Sequence, residues 1–216
     1  MSDTLHCIFD LDGTLFDSHQ QIINAVAWTR KKNRLEELDA SLIKELIGLP
    51  AKHLFTDVEL DQGTLNSLVV EFRERLKTEI VIRNDLYPGV IELLIDLKSR
   101  GARLSVATTK PTELAQWTIQ HSKLDDLLDH VQGTDNFKPK PDPEVILRCI
   151  QPGNGSKVLM FGDRTEDMLA AKSAKVLGVG MAQTIHSQAE LRSSGADFTF
   201  KSFNLYREII ETICQE

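Results

Sequence analysis

Two aspartates stand two residues apart in Asp10-Leu11-Asp12-Gly13-Thr14, directly after the apolar run Leu5-His6-Cys7-Ile8-Phe9. In extended chain, residues i and i+2 share a face. Two carboxylates held that way repel, and one keeps its proton more readily unless a cation relieves them. A second acidic pair, Asp163 and Asp167, follows the apolar run 157–161. Carboxylates with water and phosphate oxygens are the usual surroundings of Mg²⁺. Asp10, Asp12, Asp163 and Asp167 are therefore the candidate metal residues, and Mg²⁺ is the expected cofactor. Thr108 offers a hydroxyl and Lys138 a compact positive charge, and both suit a phosphoryl oxygen. Lys138 stands in Lys138-Pro139-Lys140-Pro141-Asp142-Pro143. The prolines fix φ and stiffen that loop, which would hold a lysine in place before a substrate arrives.

These residues converge only if strands deliver them to one edge. The run at 5–10 reads as a buried strand, broken by a turn at Gly13. Helical spacing fills the stretch from Asp17 to Arg83, with apolar stripes at Ile22, Ile23, Val26 and Ala27, at Leu42, Ile43, Leu46 and Ile47, and at Leu65, Leu68, Val69, Phe72, Leu76 and Ile80. From Tyr87 the pattern alternates. Strands are expected at 103–107, 130–132, 157–161, 176–179 and 198–200. Helices are expected from Pro88 to about Lys98, at 112–121, about 143–150, 167–174 and 205–214. Alternation with short connections predicts βα units on a parallel sheet. The fold class is α/β, a doubly wound parallel sheet with an inserted all-helical cap. The expected boundaries are a discontinuous core, 1–16 plus 85–216, and a cap at 17–84. In such sheets ligands bind beyond the carboxyl ends of the strands, where each candidate residue lies.

Composition narrows the function further. The 216 residues carry 25 Lys and Arg against 32 Asp and Glu, a formal charge of −7. Nucleic acids and anionic membranes attract basic patches, so neither is an expected partner. No apolar stretch is long enough to span a bilayer. MSDTLHCIFD has no basic segment followed by an apolar one, so no secretory signal is read and a cytoplasmic location is expected. The three cysteines, Cys7, Cys149 and Cys214, have no metal-ligand spacing and read as reduced thiols. Gly153-Asn154-Gly155-Ser156-Lys157 has the wrong order for a phosphate-binding loop and precedes a strand instead of following one.

Asp10-Leu11-Asp12-Gly13-Thr14, Thr108, Lys138 and Gly162-Asp163-Arg164-Thr165-Glu166-Asp167 occur in the order of the four motifs of the haloacid dehalogenase-like hydrolases, and the chain resembles that superfamily over nearly its whole length. Tyr87-Pro88-Gly89-Val90 and Thr108-Thr109-Lys110-Pro111 are similar to segments of its phosphoglycolate phosphatase-like branch. The resemblance implies a Mg²⁺-dependent phosphomonoester hydrolase that acts on a small phosphorylated metabolite, as a monomer or homodimer. It implies Asp10 as nucleophile and Asp12 as general acid and base. Mg²⁺ would be held by Asp10, the Asp12 carbonyl and Asp163, with Asp167 as a ligand or a partner of one. Lys138 and Thr108 would bind phosphoryl oxygens, helped by backbone N–H groups near Leu11 and Thr109. The residue after that threonine is commonly Asn in this branch, and here it is Thr109. Related sugar-phosphate mutases carry a cap histidine ten residues beyond the acid/base Asp, where this chain has Ile22, so transfer is the alternative reading. A phospho-accepting regulatory domain is another. His19, Arg30, Lys44, Lys52 and His53 are candidates to contact the leaving group, and Arg164 either reaches substrate or pairs with Glu166.

Overall fold

A computed structural model describes residues 5–83, 85–150 and 157–215. Gly153 to Ser156, compared above with a phosphate-binding loop, and the first four residues lie outside these. Six strands form one parallel sheet in the order β3-β2-β1-β4-β5-β6. They are β1 (Leu5–Phe9), β2 (Arg103–Ala107), β3 (His130–Gln132), β4 (Lys157–Gly162), β5 (Leu177–Met181) and β6 (Phe198–Phe200). Side chains alternate across the central strand. Cys7 and Phe9 enter the larger core with α4 (Val90–Ser99), α5 (Thr112–His121) and α9 (Tyr206–Gln215). Ile8 points the other way, into a core with α6 (Glu144–Leu147) and α7 (Thr165–Ala174). Burial on both faces explains why these strands read as apolar runs without alternation in polarity. Phe9 and Phe161 stack at 4.6 Å across the β1–β4 pair. That pair is where the strand order reverses, and such a crevice is the usual ligand site of a doubly wound sheet.

The inserted helical block is α1 (His19–Lys32), α2 (Ala40–Leu46), a 3₁₀ turn (Ala51–Phe55) and α3 (Gln62–Ile82). It has its own core, which includes Ile22, Val26, Phe55, Leu68, Phe72 and Leu76. Asp39 and Asp61 cap α2 and α3 by accepting from the backbone N–H of Ser41 and Thr64. The loops between these helices are tied to α1 by Arg30, which is fully buried. It donates to both carboxylate oxygens of Asp57, to Leu54 O and to Glu36 O.

Several elements differ from the sequence pattern. The helix expected to reach Ile150 stops at Leu147, and Cys149 and Ile150 bond only three residues back, to Ile146 O and Leu147 O. The fifth strand runs to Met181 instead of Val179. The helix α8 (Gln188–Ser193) has one buried residue, Leu191, so it leaves no apolar stripe to read. Its signal is the reciprocal cap between Ser187 and Glu190. Among the described residues no helix is long and apolar enough to cross a membrane.

Candidate active site

The β1 and β4 ends bring Asp10, Asp163 and Asp167 together. All three are buried, and one carboxylate oxygen from each lies within 4.8 Å of the others. Asp10 is fixed by its own N–H, which donates to Phe161 O at 2.9 Å across the strand pair. Asp163 accepts from the hydroxyls of Thr14 (3.0 Å) and Thr184. Asp167, in the first turn of α7, accepts from Arg164 N at 3.1 Å. The turn after β1 closes by bonds from Phe16 N to Leu11 O and from Gly13 N to Phe16 O. Gly13 has φ +81°, and a Cβ there would run into the Asp163 carboxylate. Glycine is required on both counts. Gln183, beyond β5, braces the same turn by donating to Gly13 O and Thr14 O.

The lysine of this site is Lys140, not Lys138. Lys140 is 5% exposed, and its Nζ donates to Asp10 Oδ1 (2.6 Å), to Asp167 Oδ1 and to Ala107 O (3.1 Å). Lys138 is exposed. One residue, Pro139, separates them in the same proline-spaced loop, but the turn from Pro139 O to Asp142 N aims Lys140 inward. Two buried carboxylates hold the one ammonium that reaches them.

Thr108 is buried at the end of β2, and its Oγ1 accepts from Lys110 N. The Thr109 hydroxyl is engaged by the cap, donating to Gly48 O at 2.8 Å. Its backbone is therefore what it has to offer a phosphate. Asp12 does not join the carboxylate cluster through its side chain: Lys110 Nζ donates to its Oδ2, and both side chains are buried. Sequence reasoning gave no role to Lys110, Thr14, Thr184 or Gln183. Lys110 was visible beside Thr108, but nothing in the spacing pairs it with Asp12, 98 residues away.

The electrostatics follow from this packing. Burial pushes the Asp10 carboxyl up to about 7 against the pull of Lys140, and Asp167 and Asp163 add to the rise. Burial, then Asp167, likewise push Asp163 up to about 7 against the Thr184 and Thr14 hydroxyls. Burial by itself would lower the proton affinity of Lys140, but the Asp10 and Asp167 carboxylates outweigh it and raise it above the ordinary lysine value. With all three carboxylates ionised, the one ammonium leaves an excess of two buried negative charges. An all-oxygen site with that excess suits a divalent cation of the Mg²⁺ class.

A cavity of about 470 Å³ lies between the helical block and the strand-end loops. Asp12, Thr109 and Lys110 form part of its wall from the core side. Of the five proposed cap contacts, Lys52 lines it. His19 pairs with Asp17 at 2.8 Å, Arg30 is committed to Asp57, and Lys44 is exposed. Arg164 does both more and less than expected. Its Nε donates to Glu166 at 3.1 Å, and its Nη1 donates to Glu45 O (3.0 Å) and Ile47 O (2.6 Å) in the cap. Gly48, at φ +88°, leaves room for that arm, since a Cβ would meet Arg164 Cδ.

Known proteins are similar to this chain over most of its length. The chain is 30% identical over 209 residues to a phosphoglycolate phosphatase of Colwellia psychrerythraea, covering 91% of this chain and 92% of that one. It is 28% identical to a 5'-nucleotidase of Pseudomonas aeruginosa over 95% of each chain. A solved structure described as a predicted phosphatase from Clostridium acetobutylicum superposes with a TM-score of 0.84 at 29% identity, over 97% of this chain and 100% of that one. The family model for haloacid dehalogenase-like hydrolases matches residues 7–181, and the chain belongs to that family.

Proposed function

We propose that the chain, a phosphatase of this family, hydrolyses the phosphomonoester of a small metabolite through an aspartyl-phosphate on Asp10, with Mg²⁺ as cofactor. The observation that carries this reading is the buried Asp10–Lys140–Asp167–Asp163 cluster, with Asp12 beside it on the wall of a cavity.

Lys140 holds Oδ1 of Asp10, which orients the carboxylate and leaves its other oxygen to attack phosphorus. As that bond forms, the bond from phosphorus to the leaving oxygen breaks, and Asp12 gives the leaving oxygen a proton. Asp12 then takes a proton from water, the water oxygen attacks phosphorus, and the Asp10–phosphorus bond breaks to release inorganic phosphate. The covalent route divides one difficult step into two easier ones. General acid–base help of this kind is typically worth about 10²–10⁴-fold. Lys110 positions the Asp12 carboxylate for both proton transfers. The Lys140 ammonium and the Thr108 hydroxyl face the charge that develops on the phosphoryl oxygens. Asp10, Asp163 and Asp167, with the Asp12 carbonyl, would hold Mg²⁺, which supplies positive charge between an anionic nucleophile and an anionic phosphate. Ile22 on the cavity wall has no proton to exchange, which favours hydrolysis over phosphoryl transfer between sugar hydroxyls.

The test is phosphate release from a panel of phosphorylated metabolites, with Mg²⁺ and with EDTA, for wild type and Asp10→Asn. The expected result is metal-dependent release that falls about 10⁴-fold or more in the variant. Wild-type turnover by folded Asp10→Asn would remove Asp10 as nucleophile.

A further inference from the structure

We propose that the 470 Å³ cavity is a leaving-group chamber selective for phosphomonoesters with an apolar body and an anionic far end, and that Arg73 reads that anion. This rests on the phosphatase reading only for the direction of the ester. The leaving oxygen must meet Asp12, so the atoms attached to it extend into the space that Asp12 lines. Apart from its core edge, that space is largely apolar, walled by Ile47, Leu49, Val69, Phe72, Leu76 and Leu114. Its size falls within the range of about 300–1,000 Å³ typical of small-molecule sites. A leaving group as small and polar as glycolate would leave those apolar walls without contacts.

Arg73, on α3, is a cation of that wall that makes no ion pair among the described residues. It is half-buried, and its Nε is enclosed with no hydrogen-bond partner among the described residues. Nearby arginines of the cap are committed: Arg30 to Asp57, and Arg75 to Glu79. The carboxylate that acts on Arg73 is Asp135, which makes no ion pair with it and already accepts from Thr112 N (2.9 Å) and Thr112 Oγ1 (2.7 Å). Burial holds the proton affinity of Arg73 below its ordinary value, and Asp135 only partly offsets this. A ligand anion would restore what burial removes. Of the other cations on the wall, Lys110 is paired with Asp12, and Lys52 is exposed to solvent where Arg73 is half-buried. Gln62 and Asn66 bond to each other at 2.9 Å. A planar guanidinium meets a carboxylate or phosphate through two parallel N–H bonds, so the anion it reads is of that class.

The test compares phenyl phosphate with 4-(phosphonooxy)phenylacetate, which adds a carboxylate at the far end of the same body. Two quantities are measured: kcat/KM in wild type, and calorimetric affinity in Asp10→Asn, where turnover is blocked. The expected preference for the carboxylated ester is about tenfold or more, the worth of one charge-assisted hydrogen bond. It should collapse towards unity in Arg73→Gln and fall to an intermediate value in Arg73→Lys, which keeps the charge without the fork. Should Arg73→Gln fail to fold, the Arg73→Lys ratio decides. Equal handling of the two esters by wild type, or a preference that survives Arg73→Gln, overturns the assignment while leaving the phosphatase reading intact. If neither ester is hydrolysed but the binding preference and its loss in Arg73→Gln persist, the chamber stands and the phosphatase reading falls.

Discussion

Replacing Lys140 by Met keeps the aliphatic stem and removes the ammonium that holds Asp10 and Asp167. The Lys140 side chain is 3% exposed and its partners 4% and 2%, so solvent cannot substitute for it. Breaking a buried ion pair by removing one partner costs about 3–5 kcal/mol, because the remaining charges stay in a poor dielectric. For a chain of this length each kcal/mol moves Tm by about 2–4 °C. The expected loss is therefore on the order of 10 °C at pH 8. The pH dependence has a definite sign. Asp10 already titrates near 7 in the fold, and without Lys140 it titrates higher still. A carboxyl with a raised folded value contributes stability that is present below its unfolded value, near 3.9, and lost as pH rises through the folded one. The penalty of Lys140→Met should thus be small at pH 5 and grow towards pH 8. Turnover should fall by about 10²–10³-fold, as for loss of one donor to the developing anion. Lys138→Met, on the exposed part of the loop, should stay within about 0.5 kcal/mol of wild type. Urea midpoints at the two pH values and steady-state kinetics read all of this. Equal losses in the two variants, or wild-type stability and turnover in Lys140→Met, would refute the placement of Lys140 between the two carboxylates.

Arg164→Met removes the bonds from the fourth motif to Glu45 O and Ile47 O but not the backbone N–H that Asp167 accepts. We expect kcat/KM to fall about tenfold, with faster proteolysis between α2 and α3; unchanged cleavage and kinetics would show that the arm does not hold the cap. His6 is buried against Ser105 Oγ at 2.8 Å, and burial, then Arg103, lower it to about 4. The unfolded chain takes up a proton near pH 6.5 that the fold refuses until about pH 4, so stability falls on acidification across that window, by up to about 3 kcal/mol. His6→Gln should lose this slope in urea titrations between pH 7 and 4.5, and identical slopes would contradict it.

How much of this was legible in the sequence depends on whether the signal was local. Asp10, Asp12, Asp163 and Asp167 stand at strand ends marked by apolar runs, so their convergence on one edge followed from the βα alternation. Lys138 and Lys140 are equivalent in a proline-spaced run, and only the turn into α6 distinguishes them. Arg73 sits mid-helix, where a basic residue ordinarily reads as a solvated face; its lack of an ion pair among the described residues depends on how the cap packs on the core. Arg30 and Arg164 looked like substrate contacts because long basic chains near a site are ambiguous until their partners, here Asp57 and the cap carbonyls, are placed. The breaks in the helical block at 33–39 and 47–61 carry caps at Asp39 and Asp61 that the apolar stripes do not register.

The covalent bond proposed between phosphorus and Asp10 can be observed directly. Wild type mixed with a good phosphomonoester and Mg²⁺, quenched in acid within one turnover, would be digested and weighed by mass spectrometry. One phosphoryl group is expected on the peptide containing Asp10, absent from Asp10→Asn and from the EDTA control. A phosphoryl group on any other residue, or release of phosphate with Asp10 never labelled, would contradict it.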